Sequence, residues 1–458
     1  MTVHAVVLAA GKGIRMRSKR AKVLHRAAGR SLIEWSLAAL ESISDITVVV
    51  GHHSEEVGSV VPEGTRLAVQ NPQNGTGHAT QIGIDGLEIG EGDTVLVMPG
   101  DMPLISAETI ESLLGAHAAS ASAATVLTAV VADPFGYGRI VRFGERVTAI
   151  VEHLDADPDI PAINEINTSV YAFNGSRLVE ALEDLGSHNI HGEVYLTDVV
   201  SVLAEAGELV QALEVDERQA LGVNSHGQLA VASRELRSRI NEAWMAEGVS
   251  MVDPDRVYLD ADVRLEPGVV LYPDVYLEGS SVIKAEARIG PGVFVEDSEV
   301  GERTVVSYSV LSSVIVGDDA TIGPYAHLRP GSRLGDRSKA GSFVEIKQKS
   351  VGRGAKIPHL AYVGDATIAE GSNIGAGSIT VNYDGYAKYH TLIGDRVRIG
   401  SDTKLVAPVE IGDGAVTGAG SVMTKNVSPG ALGVERSPQR EIRGYAARRQ
   451  HKADREQS

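Results

Sequence analysis

At 458 residues the chain is long enough for two or more domains, each with a sizeable core. A formal net charge of −18 argues against extended polyanions such as DNA or RNA, which need a broad basic surface, and the absence of cysteine excludes disulfides and thiolate metal sites. Small phosphorylated molecules stay open, since they need only a local basic pocket and a divalent cation, while 4% aromatic residues beside 50 glycines point to a repetitive β architecture.

Residues 3–10 form an apolar run that suits a buried parallel strand and feeds a glycine turn at Gly11 and Gly13. The run is too short to span a bilayer and has no basic segment before it, so no signal peptide or membrane span is expected and the cytoplasm is the expected compartment. Around the turn lie eight cations (Lys12, Arg15, Arg17, Lys19, Arg20, Lys22, Arg26 and Arg30), with no acid before Glu34. Such a field attracts an anion, and backbone N–H groups of a glycine turn approach phosphate oxygens closely. Strand-like runs at 46–51, 94–99 and 124–131 alternate with helical stretches such as 31–42 and 107–118, the βαβ rhythm of a doubly wound, Rossmann-like α/β sheet. The expected divisions are 1–225 for this domain, 226–248 for a linker helix centred on the amphipathic stretch 229–247, 249–434 for a second domain, and 435–458 for a polar basic tail.

From Val257 the period changes to six. Val257, Val263, Val269 and Val275 make one run; Val316, Ile322, Leu328, Leu334, Ala340 and Ile346 a second; Ile393, Ile399, Leu405, Ile411, Thr417 and Met423 a third. Six fits neither a helix nor an alternating sheet, and glycine commonly follows the aliphatic residue, so the pattern marks a hexapeptide solenoid. The pattern resembles that of hexapeptide-repeat proteins, in which three hexads make one coil of a left-handed parallel β-helix, usually packed as a trimer, and the resemblance implies the same here. The rhythm slips between Ile374 and Ile393, where the polar segment VNYDGYAKYH intervenes.

The string LAAGKGIRMRSKRAKVLH resembles the N-terminal signature of nucleoside-triphosphate:sugar-1-phosphate nucleotidylyltransferases, with Ala21 where those enzymes usually carry proline. The resemblance implies a UTP site built from Leu8, Ala9, Ala10, Gly11 and Lys22, a uracil-reading loop with Gln70, Gly75 and Thr76, and Gly100 and Asp101 at the end of the 94–99 strand. Gly138, Glu152 and Asn167 resemble the sugar-binding positions, and Asn224 joins Asp101 as a Mg²⁺ ligand. Arg15 and Lys22 are the residues expected to stabilise the triphosphate and the developing charge. Each residue alone has an ordinary alternative: Asp101 caps a turn, Asn167 makes an Asx turn, Glu152 is solvated. Ser169 stands where the family more often has glycine, so its hydroxyl is expected to crowd the sugar pocket.

In the solenoid, Arg329 and Lys347 replace the usual glycine eighteen residues apart. Stacked on successive coils roughly 5 Å apart, they repel unless an anion lies beside them. RPG, FVEIK, HLAYVGD, SNIGAG, NYDG, GSD and LVAP then follow in order, a series that resembles the bacterial bifunctional glucosamine-1-phosphate N-acetyltransferase / N-acetylglucosamine-1-phosphate uridylyltransferases from residue 8 to about residue 440. The resemblance implies that His359 is the general base of acetyl transfer. It also implies that Arg329, Lys347, Tyr362, Asn373 and Lys388 hold glucosamine-1-phosphate, and that Ala376, Asn382, Tyr383, Ser401, Ala419 and Arg436 contact acetyl-CoA. The alternative is a single-activity nucleotidylyltransferase with a structural β-helix; a non-catalytic scaffold should show erosion at Arg15, Lys22, Asp101 and Asn224, which are all intact.

Overall fold

The structure, a computed structural model, describes residues 2–11, 13–153, 155, 163–186 and 192–456. The chain folds as two compact units, Met1–Ile240 and Asn241–Ser458, with the division inside helix His226–Ala246. The helix serves both sides of that division. Ala232 and Leu236 bury themselves with Leu32 and Leu104 in the first unit, while in the second Asn241 Nδ2 donates to the carbonyls of Pro254 (2.9 Å) and Val257 (3.1 Å).

The first unit is a sheet with strands in the order Val210–Glu214, Ala124–Val130, Glu165–Asn174, Thr94–Pro99, Val3–Ala9, Asp45–Val50 and Arg66–Val69. Both faces are covered. Ala5, Val7, Val48, Leu96 and Met98 belong to one apolar layer, and Val6, Val49, Val95 and Val97 to the other. That alternation explains why these strands are apolar throughout, and each Val, Leu or Met among them contributes about 1.5–3 kcal/mol through its burial. One strand departs from the parallel rhythm. Glu165–Asn174 runs antiparallel to both neighbours, because the chain first makes the hairpin Arg139–Phe143 and Arg146–Val151, which joins the same sheet through the pairing of Arg139 with Ile166, and then returns in the opposite direction. Helix Leu32–Ala38 starts at a capping box in which the Ser31 hydroxyl accepts from Glu34 N and the Glu34 carboxylate accepts from Ser31 N at 2.7 Å. It is shorter than the 31–42 stretch, since Leu40 N and Ile43 N turn to three-residue bonds.

The second unit consists of three parallel sheets of 11, 10 and 9 strands, visited in rotation by successive short strands. Every aliphatic residue of the three six-residue runs points inward; Val257, Val269, Val275, Leu328, Ala340 and Ile411 are completely buried. The runs break where coils depart from eighteen residues. Val295 pairs with Leu311, sixteen residues on, Ile346 with Val363, seventeen on, and Ile379 with Lys404, twenty-five on, across the polar segment. Glycine after the inward residue has a steric cause: a Cβ at Gly400 would lie 2.6 Å from Ala419 N, and one at Gly317 would lie 2.7 Å from Asp336 N, on the next coil. Within the tail, Tyr445–Glu456 is a helix with no buried residue.

Candidate active sites

Strand Val3–Ala9 lies between Asp45–Val50 and Thr94–Pro99, where the strand order reverses, and open α/β sheets bind ligands at the carboxyl ends of such strands. Leu8, Ala9, Ala10 and Gly11 close the first strand; Gly100 and Asp101 follow the other, with Gly100 N donating to Leu8 O at 2.9 Å. Gly13 has φ +58°, which favours glycine, and a Cβ there would sit 2.8 Å from that of Lys22. The turn Ile14–Met16 is anchored by buried Met16 and leaves Arg15 exposed. Lys12 lies outside the described residues. Ala21 keeps φ −54°, close to the angle a proline ring imposes.

Lys22, Asp101 and Asn224, far apart in sequence, meet at this crevice. The Lys22 ammonium donates to Asp101 Oδ2 at 2.5 Å and to Asn224 Oδ1 at 3.0 Å, and the Asp101 carboxylate is buried. One carboxylate and one amide oxygen thus face a single cationic centre. Such a hard-oxygen pair fits Mg²⁺, which takes one or two protein oxygens and completes its shell with phosphate oxygens and water. Among the described residues, no cluster of three or more His, Asp or Glu is available to hold a metal by itself. Tyr137, inside GYGRI, gave no functional signal in the sequence. Its phenol pKa is raised, first by burial and then by the charge of Asp101, while Arg15 lowers it, which places the phenol near both charges.

Gln70 is buried and donates through Nε2 to Gly75 O at 2.9 Å, so its amide N–H holds the loop. Gly75 has φ +96°, and a Cβ there would come 2.9 Å from Val194 N. Thr76 Oγ1 accepts from Leu196 N at 3.0 Å. Gly138, Glu152 and Asn167 come together: a Cβ on Gly138 would lie 3.6 Å from both Asn167 Cβ and Glu152 Oε1. Burial raises the Glu152 pKa, and nearby Asp155 and Asp198 add to the rise while the Thr197 hydroxyl, donating at 3.3 Å, opposes it. Asn167 makes the Asx turn of the ordinary alternative, its Oδ1 accepting from Ser169 N at 3.0 Å, while its Nδ2 donates to Tyr171 Oη at 2.7 Å. Ser169 is exposed at φ +65° in the bulge of Glu165–Asn174, a backbone conformation that explains the family's glycine without invoking the sugar.

In the solenoid, Arg329 and Lys347 occupy matching places on paired strands, Leu328 being opposite Ile346. The anion beside Arg329 is the chain's own Glu345, at 3.0 Å. Lys347 instead faces Lys388, which the intervening segment delivers and whose pKa is lowered by the adjacent Lys347 ammonium. Tyr362 and Asn382 border the same place: a Cβ on Gly364, opposite Lys347, would meet the Tyr362 phenol at 2.5 Å and Asn382 Nδ2 at 2.8 Å. His359 ends strand Lys356–His359 on the adjoining sheet, exposed, its imidazole making no hydrogen bond among the described residues. From it a corner of the prism continues coil by coil. Gly377 N donates to His359 O, Asp402 N to Ala376 O, Gly420 N to Ser401 O, and Arg436 Nη1 to Ala419 O at 2.9 Å. Ala376, Ser401, Ala419 and Arg436 therefore line one column beside His359. Asn373 lies on the same sheet opposite Lys356, and Tyr383 stands exposed in the polar segment, bridged to Lys388.

Comparison with known proteins assigns both units. Residues 5–253 match the MobA-like NTP transferase domain family, and residues 390–425 match the bacterial transferase hexapeptide (six repeats) family. "Bifunctional protein GlmU" of Streptomyces avermitilis is 47% identical, with 97% of this chain and 94% of that one aligned. Those of Desulfitobacterium hafniense (45% identity, 96% and 98%) and Corynebacterium efficiens (46%, 97% and 93%) are similar in extent. No described helix is long and apolar enough to cross a membrane.

Proposed function

The chain belongs to the bifunctional GlmU family, and from that membership we propose that it carries two reactions of UDP-N-acetylglucosamine synthesis. The solenoid acetylates glucosamine-1-phosphate with acetyl-CoA, and the N-terminal domain then transfers UMP from UTP to N-acetylglucosamine-1-phosphate. The observation that carries the first-domain assignment is the convergence of Lys22, Asp101 and Asn224 at the switch point of the sheet.

In uridylyl transfer the phosphate oxygen of the sugar bonds to the α-phosphorus of UTP as the bond to the β-phosphoryl oxygen breaks, and pyrophosphate leaves. The protein's part is placement and charge neutralisation. Asp101 and Asn224 would hold Mg²⁺, which supplies neutralisation of the triphosphate when bound. Lys22, released from those two oxygens, and exposed Arg15 then face phosphate oxygens. Glu152, Asn167 and Gly138 border the sugar.

In acetyl transfer the paired ammoniums of Lys347 and Lys388 call for an anion, which the phosphate of glucosamine-1-phosphate satisfies. His359 takes a proton from the sugar amine as the amine nitrogen bonds to the thioester carbonyl carbon. The C–S bond then breaks, the proton held by His359 passes to the departing sulfur, and coenzyme A leaves as the thiol. Acetyl-CoA extends along the Ala376, Ser401 and Ala419 column toward Arg436. Cytoplasmic placement and a homotrimer held by the solenoid complete the proposal. Its test is acetyl and uridylyl transfer measured on one preparation of His359→Ala: acetyl transfer should fall by about 10²- to 10⁴-fold with uridylyl transfer unchanged. Near-parent acetyl transfer in the variant overturns the base assignment.

A further inference from the structure

Past strand Arg66–Val69 the chain makes a loop that Gln70 closes, its backbone N donating to Val50 O at 2.8 Å and its side chain to Gly75 O. From the middle of this loop Gln73 reaches across the crevice, and its Nε2 donates to the carbonyl of Ala10. Its Oε1 is buried and has no partner among the described residues. Gly51, just beyond strand Asp45–Val50, makes room for this contact, because a Cβ there would run into the Gln73 amide and lie 2.9 Å from Ala10 O. Gly51 does not have the left-handed φ that would otherwise explain a glycine.

A buried acceptor without a donor costs about 1–3 kcal/mol, a cost that methionine of similar length avoids. What only the amide supplies is an N–H for Ala10 O. Because the peptide is planar and trans, tying the Ala10 carbonyl toward Gln73 turns the Gly11 N–H to the opposite side. Gly11 opens the turn assigned to the phosphates of UTP. We propose that Gln73 is a positioning residue for uridylyl transfer: it fixes the Ala10–Gly11 peptide for the nucleotide phosphates and couples that peptide to the loop bearing Gln70 and Gly75, with Gly51 as the space that permits it. This rests on the assignment of UTP to the first domain.

The test uses the full-length protein, with acetyl transfer measured in each preparation as the control for intact protein. Gln73→Met should raise KM for UTP at least tenfold with kcat within threefold of the parent, and Gly51→Ala should reproduce that defect. Gln73→Glu discriminates further. Its carboxylate faces the Ala10 carbonyl at pH 8, but once protonated it offers an O–H donor, so its KM defect relative to the parent should shrink as pH falls from 8 to 6. The defect of Gln73→Met should stay constant. A KM within twofold of the parent for Gln73→Met, or a Gln73→Glu defect that does not change with pH, overturns the proposal. The Gln73→Glu profile carries the test by itself if the methionine variant fails to fold. A parent without uridylyl transfer would instead refute the functional assignment, whereas an active parent with unaffected variants refutes the role of Gln73 alone.

Discussion

Replacing Asp101 by asparagine keeps the shape of the side chain and removes its charge. In the structure that charge is buried and 2.5 Å from the ammonium of Lys22, which retains Asn224 Oδ1 at 3.0 Å as its other partner. Removing one member of a buried pair outright costs about 3–5 kcal/mol. The amide still offers an oxygen, so about 1–3 kcal/mol is expected, or about 2–4 °C of melting temperature for each kcal/mol in a unit of this size. The effect on chemistry is larger. A neutral ligand neither binds Mg²⁺ comparably nor frees Lys22 for the phosphates, and losing one such electrostatic element lowers turnover by about 10²- to 10³-fold. The assay is both half-reactions on one preparation, with thermal melting followed in parallel. Acetyl transfer should match the parent. Uridylyl turnover within threefold of the parent would refute the reasoning, as would a loss of both activities together.

His359→Ala should lower acetyl transfer by about 10²- to 10⁴-fold while melting shifts little, because the ring is exposed and makes no hydrogen bond among the described residues; near-parent acetylation refutes the base assignment. Burial raises the Glu152 pKa above its ordinary 4.5, so the stability it contributes is fully present below pH 4.5 and is lost as pH rises through the raised value. Glu152→Gln should therefore melt higher than the parent at pH 7, with the advantage gone below pH 4.5, and equal melting at both pH values contradicts this. Ala21→Pro should stabilise by about 0.4–1 kcal/mol, since φ is already −54° and the ring removes freedom from the unfolded chain; a lower melting temperature would show that the Ala21 N–H or the conformation of Arg20 matters.

The solenoid was legible because each hexad turns one aliphatic residue inward and the next coil's backbone, within 3 Å of any added Cβ at Gly317 or Gly400, demands glycine after it. Its coil length was not uniform, since corners of sixteen or seventeen residues keep the inward positions while breaking the count. In the first domain, strands 3–10 and 94–99 could be read from their apolar runs, but the return of Glu165–Asn174 in the opposite direction depends on a hairpin whose pairing no local pattern encodes. Glu345 as the anion beside Arg329 was hidden for a related reason: the partner lies sixteen residues away and becomes a neighbour only through coil register. Gln73 carried no signal at all. Its contact with Ala10 spans 63 residues, and only the crowding around Gly51 reveals it.

The central claim, two consecutive reactions on one chain, is tested most directly by incubating the purified protein with glucosamine-1-phosphate, acetyl-CoA, UTP and Mg²⁺ and identifying the products by mass. The account predicts UDP-N-acetylglucosamine together with free coenzyme A and pyrophosphate, with N-acetylglucosamine-1-phosphate accumulating when UTP is omitted. Recovery of unacetylated glucosamine-1-phosphate, or of N-acetylglucosamine-1-phosphate that is never converted in the presence of UTP and Mg²⁺, would contradict it.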